Sequence, residues 1–211
     1  FISMFSWNGL SEASIQQGCS GFSKMRNNSE LLSPKFTLKE DFSSGMVPRF
    51  NSEGEIAPET MLLIDGGKLQ NTLVSSRTAA EYGVESNMAE NGESLRSPQM
   101  KSGSLQEVDI LPTIDNGLFI SNIHYLNCSD NPSGRITGLT RYACFQVEGG
   151  EVTAPIDTMR FDDTFYRFFG SELEAVGQKM DVIPDVSTYY RRSIEVMNCP
   201  GILVNSFALT L

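Results

Sequence analysis

The sequence predicts an α+β fold, a mainly antiparallel β-sheet domain, sandwich- or barrel-like, with a few short helices. Three observations predict it. Short β-prone runs recur along the whole 211-residue chain. Two pairs of runs fold back across glycine turns, at Asp65-Gly66-Gly67 and Glu148-Gly149-Gly150-Glu151, and such turns between β-prone runs are a strong hairpin signal. Helical periodicity is confined to brief segments, the best of them from Asp162 to Lys179.

The elements follow in order. A helix over Phe5 to Gln17 should end at Gly18. Asn27 to Phe50 mixes Asn, Ser, Pro and Gly around one alternating piece, Phe36-Thr37-Leu38, so it reads as loop with an edge strand. Glu55 to Val74 forms the first hairpin, and Arg77 to Tyr82 a short helix closed by Gly83. Residues 85–107 are rich in Asn, Ser, Gly, Glu and Lys and offer little to bury against the entropy of ordering them. A mobile surface loop is expected there, within one domain spanning 1–211, because the strand patterns on its two sides resemble each other. Gly117 to Leu126, Gly138 to Glu148, Glu151 to Ile156 and Ile202 to Leu211 are β-prone. Asp162 to Lys179 reads as a helix capped by Asp162 or Asp163, with Phe165, Phe168, Phe169, Leu173 and Val176 on its core face.

Composition narrows the function. With 40% hydrophobic and 20% charged residues the chain can build a core, so wholesale disorder is excluded. A formal charge of -10 argues against nucleic acid, whose affinity rests on Lys and Arg that displace counterions. No apolar run approaches the ~20 residues that span a bilayer, so no membrane helix is expected. Phe1 to Asn8 resembles neither an intact start nor a signal peptide, and the chain reads as a fragment whose N-terminal half is absent. Cys19, Cys128, Cys144 and Cys199 are widely scattered, which favours reduced thiols and a cytoplasmic location.

Catalytic signals are sparse. His124 is the only histidine, and no nucleophile elbow of the G-x-S-x-G type supplies it with a serine. His124 and Cys128 have helical i, i+4 spacing, but Ile120 to Leu126 alternates like a strand, which favours a strand histidine over a metal ligand. No CxxC pair, P-loop or G-x-G-x-x-G is present. The acidic pairs Asp162/Asp163 and Glu172/Glu174 suit helix-dipole compensation better than acid/base work. Cys199, next to Pro200 and without a basic neighbour, reads as a cysteine at the opening of the final strand.

The segment from Gly117 to Lys179 carries a resemblance. Gly117-Leu118-Phe119, Asn131-Pro132, Glu148-Gly149-Gly150-Glu151, Pro155-Ile156 and Gly177 resemble, in order, a Gly-Leu-Tyr strand, an Asn-Pro-x-x-Gly turn, a Glu-Asn-Gly-Glu strand end, a Pro-Val pair and a helix closing on a glycine turn. These belong to the C-terminal domain of the TldD/PmbA family, the modulators of DNA gyrase. Phe50 to Gly54 and Leu62 to Gly83 resemble further family stretches in the same order. The resemblance implies a zinc-dependent peptidase family whose TldD-type subunit carries an H-E-x-x-x-H helix just before a Gly-x-Ser-x-Phe stretch. Gly18-Cys19-Ser20-Gly21-Phe22 matches that stretch, and counting back puts the three metal-motif positions on Ser3, Met4 and Asn8. None can replace a histidine ligand or the glutamate base. The family's Gly-x-Cys-Gly segment is also missing after Asp181. Both departures resemble the PmbA (TldE) type.

Two functional classes follow from this. The first is a non-catalytic subunit that shapes a chamber for unfolded peptides and docks a TldD-type partner or a second copy of itself, zinc being expected only in the partner. The second is a stand-alone hydrolase using His124 or residues of a missing N-terminal half. Asn131, Pro132, Gly134, Gly138 and Thr140 are the candidate chamber or interface residues. Their plainer reading is a tight turn, with Pro132 fixing φ and Gly134 free to take a positive one.

Overall fold

The structure is a computed structural model that describes residues 1–7, 9–188 and 194–210. Three short helices, α1 (Met4–Trp7), α2 (Glu12–Gln16) and α3 (Ser23–Arg26), lead into β1 (Leu38–Asp41), β2 (Thr60–Asp65) and β3 (Lys68–Leu69). After α4 (Ser76–Tyr82) and β4 (Pro98–Met100) comes α5 (Ile110–Ile114). The long strands β5 (Gly117–Asp130) and β6 (Arg135–Glu148) are followed by β7 (Glu151–Pro155) and β8 (Arg160–Thr164). The chain ends with β9 (Leu173–Pro184), β10 (Val196–Val204) and β11 (Leu209–Thr210). One sheet has the order β3-β2-β1-β4-β10-β9 and the other β11-β8-β6-β5, with β7 also on β6. Every neighbouring pair is antiparallel except β4 and β10. The α+β expectation holds, as two open sheets sharing one core rather than a closed barrel.

Both glycine turns form as the sequence predicts, with Gly66, Gly67, Gly149 and Gly150 all at positive φ, the requirement of a tight two-residue hairpin. Helix α4 ends on a left-handed Gly83, also as expected. Five other readings need correction.

The single helix over Phe5 to Gln17 is two. Gly9, at φ 81°, turns the chain so that Leu10 enters the core, and Ser11 then caps α2 by accepting from Ser14 N at 3.0 Å. The piece at Phe36 to Leu38 is not an edge: β1 lies between β2 and β4, with Phe36 and Leu38 buried.

Residues 85–107 are not a surface excursion. They supply β4 to the middle of a sheet and bury Leu95 and Met100. Their anchor is polar. The buried Glu93 carboxylate accepts from Ala13 N at 3.0 Å, Ser75 N at 2.8 Å and Ser75 Oγ at 3.0 Å, holding the first turns of α2 and α4 together.

The helix expected over Asp162 to Lys179 is a single wide turn, Arg167–Ser171, between β8 and β9. Phe165, Phe168 and Phe169 are buried as predicted. From Leu173 the chain pairs with β10 instead of continuing the helix, and Gly177 lies within that strand. Gly170 and Gly177 weaken the helix, and a sheet partner outweighs the remaining propensity. Cys199 likewise lies inside β10 rather than at its opening.

The core is aromatic. Phe165 stacks on Phe22 at 4.8 Å, Phe169 meets Phe36 at 4.7 Å and Phe5 at 5.5 Å, and Phe161 of β8 faces Phe207 at 4.9 Å. The Phe165–Phe169 turn therefore joins both sheets to the N-terminal helices. Among the described residues no helix is long and apolar enough to cross a membrane.

Candidate functional site

A cavity of about 640 Å³ opens beside α1. Ser3, Met4, Ser6 and Trp7 form one wall, Pro98 of β4 approaches with Leu95 from the segment before it, and Leu126 comes from β5. The opposite wall is the end of β9, Ile183 and Pro184, with Val196 and Met197 of β10. The lining is mostly apolar, and Trp7 is 64% exposed, so a large indole borders open space. β9 is an edge strand; on its outer side Gly103 N donates to Gly177 O at 2.9 Å, Leu105 N to Val176 O at 3.1 Å, and Gln178 N to Leu105 O at 2.8 Å. Its cavity-side half thus presents backbone donors and acceptors that no strand of this sheet takes up.

Carboxylates crowd the cavity's far rim. Asp185 and Glu195 both line it, and Asp185 N donates to Glu195 O at 2.8 Å. Burial pushes the Glu195 carboxyl up, and the charge of Asp185 adds to the effect. Behind them, Glu40 of β1 accepts from Arg96 N and Ser97 N, both at 2.9 Å. Burial nevertheless pushes Glu40 up to about 7. Sequence reading missed this rim, because nothing local distinguishes Glu40 or Glu195 from other acids. Trp7, the single tryptophan, was the one visible signal of the cavity.

Two of the metal-motif positions found by counting, Ser3 and Met4, lie in the cavity wall; Asn8, the third, lies outside the described residues. A hydroxyl and a thioether are poor zinc donors beside imidazole and thiolate, so these residues do not fit the metal. Among the described residues no three His, Cys, Asp or Glu side chains converge into a metal-holding group.

The Asn131-Pro132-Ser133-Gly134 turn joins β5 to β6 and meets the Gly18 to Phe22 stretch. A side chain on Gly21 would stand 2.8 Å from Asn131 O and 3.0 Å from both the Gly134 Cα and the Phe165 ring. Asn131 Nδ2 donates to Trp7 O at 3.2 Å, tying the turn to the cavity wall, while its Oδ1 is buried without a hydrogen-bond partner. Pro132 is exposed, and Gly134 takes φ 68° over Phe165.

Gly138 and Thr140 point inward. Any Cβ on Gly138 would lie 2.9 Å from Phe161 and Leu126. Thr140 is buried; its N–H donates to Met159 O and its Oγ1 accepts from Met159 N, each at 2.9 Å. Of the five candidates, Asn131 and Pro132 are the two that are not buried. His124 is on a strand, as expected, and its ring Nδ1 accepts from Arg141 Nη1 at 3.1 Å.

Comparison with known proteins adds the context. The pattern of the PmbA/TldA metallopeptidase C-terminal domain matches residues 1–211. No curated protein matches. A protein from Thermotoga maritima described as a modulator of DNA gyrase is similar in structure, with TM-score 0.74 and 16% identity over 95% of this chain and 45% of its own. TldE from Thermococcus kodakarensis is similar at TM-score 0.67 and 18% identity, covering 92% of this chain and 45% of its own. A second such modulator, from Bacteroides thetaiotaomicron, has TM-score 0.67 and 18% identity, covering 95% and 42%. The chain thus spans somewhat under half the length of these solved proteins.

Proposed function

The chain belongs to the PmbA/TldD metallopeptidase family through its C-terminal domain, and from that premise we propose that it is a non-catalytic, TldE-like part of a peptidase. In this reading it shapes a chamber for unfolded peptides and docks a zinc-bearing TldD-type subunit or a second copy of itself. The observation that carries the reading is the cavity, whose α1 wall has Ser3 and Met4 at positions where the resemblance implies metal-motif residues in a TldD-type subunit.

An apolar cavity beside the free half of an edge strand suits an extended peptide. Strand addition supplies affinity through backbone hydrogen bonds and needs no special side chain. The acidic balance of the chain argues against nucleic acid as a partner. The four free cysteines fit a reducing cytoplasm. The rival, a hydrolase built on His124, finds no support: among the described residues no serine hydroxyl or carboxylate hydrogen-bonds that ring.

Trp7 provides the test. Titrating the chain with an unfolded, tryptophan-free peptide should shift Trp7 emission to the blue and protect it from acrylamide, and Leu126→Glu should weaken both changes. Unchanged Trp7 emission up to millimolar peptide would sink the chamber reading.

A further inference from the structure

Halfway along β6 the sheet thins to a ribbon. β8 pairs with β6 over Arg135 to Leu139 and β7 over Phe145 to Glu148, so between those stretches β5 is its main neighbour. Tyr142 in this gap, at φ 63°, and Tyr125 in the β5 bulge beside it, between His124 and Asn127, at φ 50°, both occupy the left-handed region. A positive φ is strained for a bulky residue, and such strain gathers where a surface is shaped for use. The core does not benefit from it, since Tyr125 is 68% and Tyr142 73% exposed.

The strain holds a cluster around Arg141. Its guanidinium carbon lies 5.6 Å from the Tyr125 ring centre and 5.4 Å from that of Tyr142, and His124 packs edge-on to Tyr125 at 4.5 Å. Arg141 has no acidic partner among the described residues, although the chain carries 26 acidic side chains. A guanidinium can only donate, so His124 Nδ1 is the acceptor of their 3.1 Å hydrogen bond and the ring proton sits on Nε2. The cluster therefore offers an imidazole N–H and several guanidinium N–H groups, all donors.

We propose that His124 and Arg141, flanked by Tyr125 and Tyr142, form a binding site for a peptide carboxylate. A planar guanidinium fixed between two rings matches a planar carboxylate, with two parallel hydrogen bonds available. Tyr125 belongs to the same bulged stretch of β5 as the cavity-wall residue Leu126. That the carboxylate belongs to a peptide rests on the proposed function; that the cluster takes a carboxylate does not.

The single histidine makes the test clean, since one imidazole contributes one set of ring signals to an NMR spectrum. Acetate should shift the His124 signals saturably in the wild-type chain and leave them unmoved in Arg141→Gln. In fluorescence anisotropy, an unstructured decapeptide with a free C-terminus should bind about 10-fold more tightly than its C-terminal amide, and Arg141→Gln should reduce that ratio to within about 2-fold. An amidated peptide with an internal Glu that binds as tightly as the free acid would support the site and assign the carboxylate to a side chain. Acetate shifts without binding of any peptide would uphold the carboxylate site and defeat the peptide reading. Equal binding of acid and amide with no acetate shift, or inorganic phosphate acting as strongly as acetate, would overturn the proposal.

Discussion

Glu40 sits on β1 with each carboxylate oxygen taking a backbone N–H, yet burial holds its carboxyl at about 7 against an ordinary value of 4.5. The fold therefore favours the neutral form. The stability this contributes is complete below about pH 4.5 and is lost as pH rises through 7, a change on the order of 3 kcal/mol. Denaturant midpoints should fall between pH 5 and 8, and Glu40→Gln should flatten that slope while lowering stability at pH 5, because its amide nitrogen would face an N–H. An equal slope in the variant would move the origin elsewhere. Gly138 shows the limit of residue-level reading. Its place beside a family-like turn suggests a ligand surface and a Gly138→Val variant of nearly unchanged stability. The Phe161 ring and Leu126 stand 2.9 Å from any Cβ there, so that substitution should cost about 1 to 3 kcal/mol or more in thermal or denaturant unfolding. A Val variant as stable as the wild type would mean that β8 shifts freely. Such contacts, with Leu126 twelve positions before Gly138 and Phe161 twenty-three after it, leave no local pattern to read.

At the scale of elements, what was legible is what is local. The two glycine hairpins and the Gly83 cap are short-range chemistry and form where expected. The Phe165–Phe169 spacing correctly marks a helical turn facing the core, but the pairing of β9 with β10 ends it, and that pairing joins Leu173 to Val204, thirty-one positions on. Phe169→Ala should cost about 3 to 5 kcal/mol, since the ring is buried against Phe5, Phe36 and Phe168. A loss of only a few tenths in chemical denaturation would show that the turn is dispensable. Residues 85–107 were misread because composition counts apolar side chains and overlooks one well-placed acid. Glu93→Ala should leave buried donors on α2 and α4 unpaired, at about 2 kcal/mol or more. Amide exchange at Ala13 and Ser75 should then quicken ahead of exchange in β6, and uniform acceleration would contradict the two-helix anchor.

At the scale of the whole molecule, family and fold class were legible because several spaced motifs agree in order, whereas the cavity was not, because its walls come from α1, β4, β5, β9 and β10. The same assembly bears on the metal question. A zinc site needs three or four good donors converging; the cavity offers Ser3 and Met4 on one wall and the two carboxylates Asp185 and Glu195 at its rim, while His124 is engaged by Arg141 on the ribbon. The chain purified alone should therefore hold well under about 0.1 zinc per chain after dialysis, a threshold far below the stoichiometric loading of a built site. Mixed with a TldD-type subunit, zinc should track that subunit alone, and chelation should abolish peptide cleavage without releasing peptide from this chain. One zinc per chain in the isolated protein, lost on His124→Ala, would defeat the non-catalytic reading and place the metal on the β5–β6 ribbon. Retained zinc in that variant would instead point to ligands contributed by Asp185 and Glu195, whose crowding at the rim is the one feature of the cavity that a cation would relieve.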